Sequence, residues 1–367
     1  MAILKFTGFD MFPGQANAGN TLPVHGAGVT GTPIAASFPI TVSNTSHLVG
    51  VSGLAAHKIG SGAKQRNGLV VYRPAGTSTH ALLTVINGET LGNGAWARVI
   101  NFTVKDISGA DINTAVSLAT IGTGPTVLNG YLLGLNASKA IMVNGSSVSG
   151  LVWELNREYS VEIKMWRVGT EPNNYYNLEV RLDGTVIRTL QITTIAFTTP
   201  MYVTLGMNSN TNITTARTLV YSDIVVSDGD YLGPSQVLPA TVTAVPAAGG
   251  WEKEGNADAP TTLNDRDDTT CYTSPVDSGA LSVKLGISED SAVPVRSAQF
   301  FVRSTRDASA GRGMQVKLED TSGAAVGGPV LISNTTAFAD YRAFNVNSLA
   351  SVGDVAGSTL KISAIVP

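Results

Sequence analysis

One cysteine, Cys271, is all that this chain of 367 residues contains, which excludes an internal disulfide framework. Charge is scarce as well: Asp, Glu, Lys and Arg make up 14% of the residues, the net charge is −3, and no basic cluster occurs. A surface that tracks phosphates is therefore not expected, and neither is a nucleic-acid partner. No apolar run reaches the ~18 residues of a membrane-spanning helix, so membrane insertion is not expected. The opening Met1-Ala-Ile-Leu-Lys-Phe-Thr-Gly-Phe-Asp10 lacks the charged start, apolar run and small-residue cleavage site of a signal peptide. The expectation is a soluble protein, made in a cytoplasm and not exported by the usual route. Sustained heptads are missing, which argues against a fibrous coiled-coil stalk. So are Gly-x-Ser-x-Gly, a P-loop and His-Glu-x-x-His. The four histidines (His25, His47, His57, His80) are scattered, whereas zinc needs three or four convergent ligands.

What is present is β-forming. Hydrophobic residues reach 43%, enough to bury a core, and 39 glycines accompany many Thr, Val, Ser and Asn residues. The length suggests two domains, or three. The clearest pattern lies between Trp153 and Val237. Tyr159–Trp166 and Leu178–Leu182 alternate apolar with polar residues, the signature of strands with one buried and one wet face. Asp183-Gly184 then predicts a hairpin into Val186–Leu190, because a type I′ turn needs positive φ at both central residues. Met201–Leu205 follows as a strand, and the stretch from Leu219 to Pro234 reads as a last strand leading into a stop. Upstream, shorter candidates run from Ile40 to Val143, punctuated by Asn67-Gly68, Asn87-Gly88, Asn93-Gly94, Asn129-Gly130 and Asn144-Gly145, as in an antiparallel sandwich. Residues 1–10 read as a first strand. Residues 11–37, rich in Gly, Pro, Ala and Asn, read as a loop or extended arm, and residues 106–120 as room for a short helix. Gly233-Pro234 predicts the end of a first domain at 1–234. Residues 235–250 then form a linker or edge strand, and 251–367 a smaller β-sandwich. Its strands are expected at 280–285, 295–303, 314–319, 330–332, 341–346 and 359–365.

Three groups invite a chemical reading. Glu154, Glu158 and Glu162 share strand parity and would line one face, as paired carboxylates do in glycosidases. Lys164 shares that parity too, and a solvated face with mixed charge accounts for the row. Asp265, Asp267 and Asp268 form an acidic loop, as does Asp228-Gly-Asp230, that offers hard oxygens to calcium; turns favour Asp for local hydrogen bonding as well. No other cofactor is implied. Trp166, Tyr175 and Tyr176 are the aromatic candidates for stacking on a sugar ring, the tyrosines being expected in a hairpin loop; packing against a neighbouring subunit is the alternative.

The Tyr-Ser-Val-Glu-Ile-Lys strand, the Leu-Glu-Val-Arg-Leu-Asp-Gly hairpin and the closing Tyr221-Ser-Asp-Ile-Val-Val-Ser-Asp-Gly-Asp-Tyr-Leu-Gly-Pro234 together resemble the concanavalin A-like (laminin G-like) jelly roll. The version they resemble is that of tailed-bacteriophage structural proteins, whose domain opens with a segment like Gly8-Phe9-Asp10. Trp251 through Tyr272 resembles the start of the β module that often follows it. The resemblance implies an all-β, antiparallel fold and a non-enzymatic virion component exposed on the particle surface. Its implied partners are copies of itself and other virion proteins of capsid or tail. A carbohydrate-binding adhesin for host-surface glycans is the alternative. The chain lacks both the metal-and-sugar loop of the superfamily's lectins and the Glu-x-Asp-x-x-Glu strand of its glucanases.

Overall fold

The computed structural model describes residues 3–7, 15–16, 21–23, 37–42, 47–50, 58–59, 66–73, 75, 81–90, 96–108, 115–124, 128–168, 175–192, 199–207, 216–255, 258–264, 271–274, 279–296, 298–306, 313–346 and 349–365. The described chain is nearly all β, with antiparallel sheets forming jelly-roll-like sandwiches. It divides into two compact units, one reaching to Val237 and the other running from Leu238 to Pro367.

In the first unit, among the described residues, nine strands form one large sheet and eight a second, and Lys58–Ile59 pairs with Arg66–Asn67 in a small ladder. The chain changes sheet repeatedly. Ala97–Asp106 lies in the larger sheet, Val116–Gly122 and the strands from Leu128–Leu135 to Ser146–Val152 in the smaller, and Glu158–Val168, Tyr175–Leu182 and Thr185–Ile192 in the larger again. Met201–Met207 then joins the smaller sheet, and Arg217–Ser227 the centre of the larger, beside Ala97–Asp106. Alternation decides which side is core. Ile100, Phe102, Val104, Val161, Ile163 and Met165 are buried inward, while Asn101, Thr103, Glu162 and Lys164 take the opposite, outer parity. Tyr221 spans the core, its hydroxyl donating to the Leu118 carbonyl oxygen at 2.9 Å. Asp183 and Gly184 adopt φ of 50° and 81°, as the hairpin between Tyr175–Leu182 and Thr185–Ile192 requires.

Several expectations need correction. The helix expected in 106–120 is not formed by its described residues: Ala97–Asp106 ends there as a strand, and Val116–Gly122 is a strand buried along its whole length. Burial on both faces removes the alternation by which a strand is read from sequence. Asn87-Gly88 and Asn129-Gly130 lie inside Ala81–Glu89 and Leu128–Leu135 instead of turning between strands, while Asn144-Gly145 does turn a hairpin. Within residues 11–37, Gln15–Ala16 pairs with Leu48 and Val49, and Thr21–Pro23 pairs with Ser37–Pro39. The rest of that stretch, with Gly8-Phe9-Asp10, lies outside the described residues.

In the second unit, the five-stranded sheet is ordered Thr241–Ala247, Leu281–Gly286, Thr359–Ile365, Gly313–Glu319, Val330–Ile332. Thr241–Ala247 is an edge strand, the position that tolerates its Pro246. Leu281, Val283, Val316, Leu318, Leu360 and Ile362 cover one face of this sheet and pack with Phe300 and Tyr341 from the ladder of Ala298–Ser304 with Ala339–Val346. The helix Val352–Gly357 opens with a capping box, Ser351 Oγ accepting from the Asp354 N–H and the Asp354 carboxylate accepting from the Ser351 N–H.

Candidate functional site

The outer face of the nine-stranded sheet is crossed by the segment 228–237, which leaves Arg217–Ser227 and returns over it. Three polar side chains hold this strap. Glu162, 1% exposed, turns one carboxylate oxygen to the N–H of Leu232 at 2.9 Å and of Gly233 at 2.8 Å. Asn101, directly opposite Glu162 across the ladder, donates from Nδ2 to Ser235 Oγ at 2.7 Å. Asp223 accepts from the Val237 N–H at 2.9 Å and from Thr103 Oγ1 at 2.6 Å. Asp223 has φ of 52°, within an irregularity of the ladder that shifts register between Asn101 and Thr103. A bulge re-aims a side chain in this way. Pro234 rests beside the hairpin glycine, its Cγ 3.6 Å from where a Cβ on Gly184 would stand.

Glu162 was expected on a solvated face. Its outer parity is as read, but the strap covers it. A carboxylate accepting two backbone N–H groups holds the chain in place, and each charged hydrogen bond contributes roughly 1.5–3 kcal/mol. The other carboxylates of this face are engaged as well. Glu179 pairs with Arg181 at 2.9 Å, Glu158 with Lys105 at 3.7 Å, and Glu154 with Arg157 at 2.7 Å. Asp230 accepts from Lys164 at 2.9 Å, and that hydrogen bond with the lysine's charge holds its carboxyl below the usual range.

Aromatic rings and cations alternate along the strap's outer margin. The Arg181 guanidinium lies 3.4 Å from the centroid of Tyr231. Lys164 Nζ stands 5.0 Å from that ring and 5.6 Å from the ring of Trp166. Burial, with Glu179 beside it, pushes the Tyr231 phenol up. Trp166 is half-buried and ends the row.

The sequence-predicted aromatics therefore separate. Trp166 lies on the outer face. Tyr175 stands in register opposite Val168, at the start of a strand and not in a loop. Tyr176 is wholly buried on the inward parity, edge-on to Trp96 with centroids 6.3 Å apart, and burial pushes its phenol up to about 12. It offers no face to a sugar, because two residues adjacent on a strand point to opposite sides. Asp265, Asp267 and Asp268 lie outside the described residues, as do His25, His57 and His80. Among the described residues no group of three or more His, Cys, Asp or Glu side chains converges as a metal site.

Sequence reading missed the pair of Asp106 and Arg217, buried at 0% and 2% side-chain exposure and joined at 2.6 Å. Asp106 also accepts from the Ser108 N–H at 3.0 Å. Burial lowers the Arg217 pKa despite its partner. The two are 111 residues apart, so only the pairing of their strands brings them together.

No protein-family model matches the chain, and no curated protein does. Among solved structures, Trypanosoma rangeli sialidase in complex with 2,3-difluorosialic acid aligns at 14% identity and a TM-score of 0.36, over 61% of this chain and 30% of the sialidase. The chain thus spans under a third of that protein. The binding domain of botulinum neurotoxin DC in complex with rat synaptotagmin II aligns at 9% identity and a TM-score of 0.34, covering 95% and 97% of the two chains. An alginate lyase in complex with dimannuronate aligns at 12% identity and a TM-score of 0.29, over 45% and 76%. Likeness at this level carries no argument about activity.

Proposed function

We propose that this chain is a non-enzymatic structural protein of a tailed-bacteriophage virion, exposed on the particle and assembled with copies of itself and with other virion proteins. One observation carries the reading. The closing motif Asp228-Gly-Asp-Tyr-Leu-Gly-Pro234, on which the resemblance rests, is an architectural device buttoned to the sheet by Glu162, Asn101 and Asp223. Glu162 and Asp223 serve that architecture, while Glu154, Glu158 and Glu179 are held in ion pairs. Function then comes from rigid placement: many copies on a symmetric particle multiply weak contacts by avidity. In this reading 1–234 is the jelly-roll domain, 235–250 the connection and 251–367 the second sandwich. Peptide mass spectrometry of gradient-purified particles tests it. The chain should be recovered at many copies per particle, and its absence from washed particles would sink the proposal.

A second reading is favoured by Trp166, whose half-buried ring lies on the outer face beside the Lys164 ammonium. Aromatic faces stack on sugar rings, and the protein then acts as an adhesin for host-surface glycans. Saturable binding of neutral glycans lost in Trp166→Ala supports this reading, and retention of that neutral-glycan binding in the variant removes it.

A further inference from the structure

Lys284, Lys317 and Lys361 are three of the four lysines between Leu238 and Pro367, a stretch in which acidic residues outnumber basic ones. All three stand on adjacent strands of the five-stranded sheet, on the parity opposite the core residues Val283, Leu318 and Leu360. Lys317 and Lys361 are direct partners across the ladder. Like charges directly opposite are destabilising. Glu319 relieves one of them, at 2.7 Å from Lys361 Nζ. Lys284 pairs with Thr359, two residues before Lys361, so it sits on the diagonal. Such diagonals measure about 7–8 Å, which is no more than the ~8 Å screening length at physiological salt. The three ammonium groups therefore act as one field. Among the described residues neither Lys284 nor Lys317 has an ion-pair partner, and both are exposed.

Ser282, Gln315, Thr359 and Ser363 add hydroxyls and an amide to this face, beside the Glu319 carboxylate, with Ile365 and the 61% exposed Leu331 towards its margin. Lys and Ser are depleted from the cores of protein interfaces, which speaks against a protein partner. Single-stranded nucleic acid is gripped by aromatic stacking platforms, and this lysine–hydroxyl grid is of another kind. We propose that the solvent-facing side of this sheet is a docking surface for a carboxylated polysaccharide. The lysines neutralise carboxylates that repeat along the polymer, and the serine and threonine hydroxyls meet its sugar hydroxyls. Charge complementarity selects the occupant, and a bound polyanion removes the Lys317–Lys361 repulsion. The proposal rests on the glycan-binding reading above but puts the anionic subsite in the second unit, independent of Trp166.

Affinity electrophoresis of the full chain in gels containing polygalacturonate, with dextran as the neutral polymer, tests it. Migration should be retarded by polygalacturonate and not by dextran, and the retardation should weaken steeply with added salt. The triple variant Lys284→Gln, Lys317→Gln, Lys361→Gln should lose on the order of tenfold in affinity, the sum of three exposed contacts. Lys317→Arg with Lys361→Arg should retain binding, which separates loss of charge from loss of fold. Trp166-dependent binding that the lysine variants leave intact overturns this proposal and leaves the glycan reading standing. A chain retarded by neither polymer overturns the proposal, and no binding across a glycan array removes the broader reading with it. Equal retardation by a single-stranded DNA oligonucleotide that competes with polygalacturonate also overturns it, since the face would then bind any polyanion.

Discussion

Replacing Glu162 with alanine would unbutton the strap, and the structure sets how much that costs. The carboxylate is almost completely buried and accepts two backbone hydrogen bonds, at 2.9 and 2.8 Å. In Glu162→Ala the N–H groups of Leu232 and Gly233 lose their acceptor. A buried donor left unsatisfied costs about 1–3 kcal/mol, and losing the carboxylate also removes a buried charge whose desolvation had opposed folding. A net destabilisation of about 2–4 kcal/mol is expected. Glu162→Gln keeps one acceptor oxygen and should lose about half as much. Urea unfolding followed by tryptophan emission measures it, since Trp96, Trp153 and Trp166 all belong to the first unit. Amide exchange at Leu232 and Gly233 should accelerate in step. A change within about 0.5 kcal/mol, the range of an ordinary surface substitution, with both amides as protected as before, would refute the latch.

Asp106→Ala should destabilise the first unit by roughly 3–5 kcal/mol, because it strands the Arg217 charge in the core; the double replacement Asp106→Leu with Arg217→Met should recover most of that loss, as denaturant titration of the single and double variants would show. Gly184→Ala should cost about 1 kcal/mol through its positive φ and not through crowding, since Pro234 stands at ordinary contact distance; a thermal melt measures it. Burial raises the phenols of Tyr176, to about 12, and of Tyr221 and Tyr231. A tyrosine whose folded pKa exceeds its unfolded value of 10.0 contributes stability that is full below that pH and is lost as pH rises through the folded value. Absorbance titration at alkaline pH should therefore show Tyr176 and Tyr221 ionising only as the fold opens, and their ionisation near pH 10 with intact circular dichroism would contradict their burial.

The strands that show one wet face were readable in advance. Tyr159–Trp166, Leu178–Leu182 and the Asp183-Gly184 turn lie where alternation and turn chemistry put them. Val330–Ile332 and Thr359–Ile365 are found with the same limits as expected. Val116–Gly122 escaped because a strand buried on both sides has no period to detect. The strap escaped because Glu162 looks like any charged residue on a wet face until 228–237 folds back over it. Tyr175 and Tyr176 read as one aromatic pair, yet adjacent strand positions face opposite ways, and only the register assigns Tyr176 to the core. Asp106 and Arg217 carry no local signal at all, being joined only by the pairing of distant strands.

Immunogold labelling of intact particles with an antibody raised against this chain tests the central claim most directly. The account predicts dense label on the particle surface, over the head if the chain decorates the coat lattice, or confined to the tail if it serves attachment. Particles that carry no label anywhere, while the chain is abundant in the surrounding lysate, would contradict it.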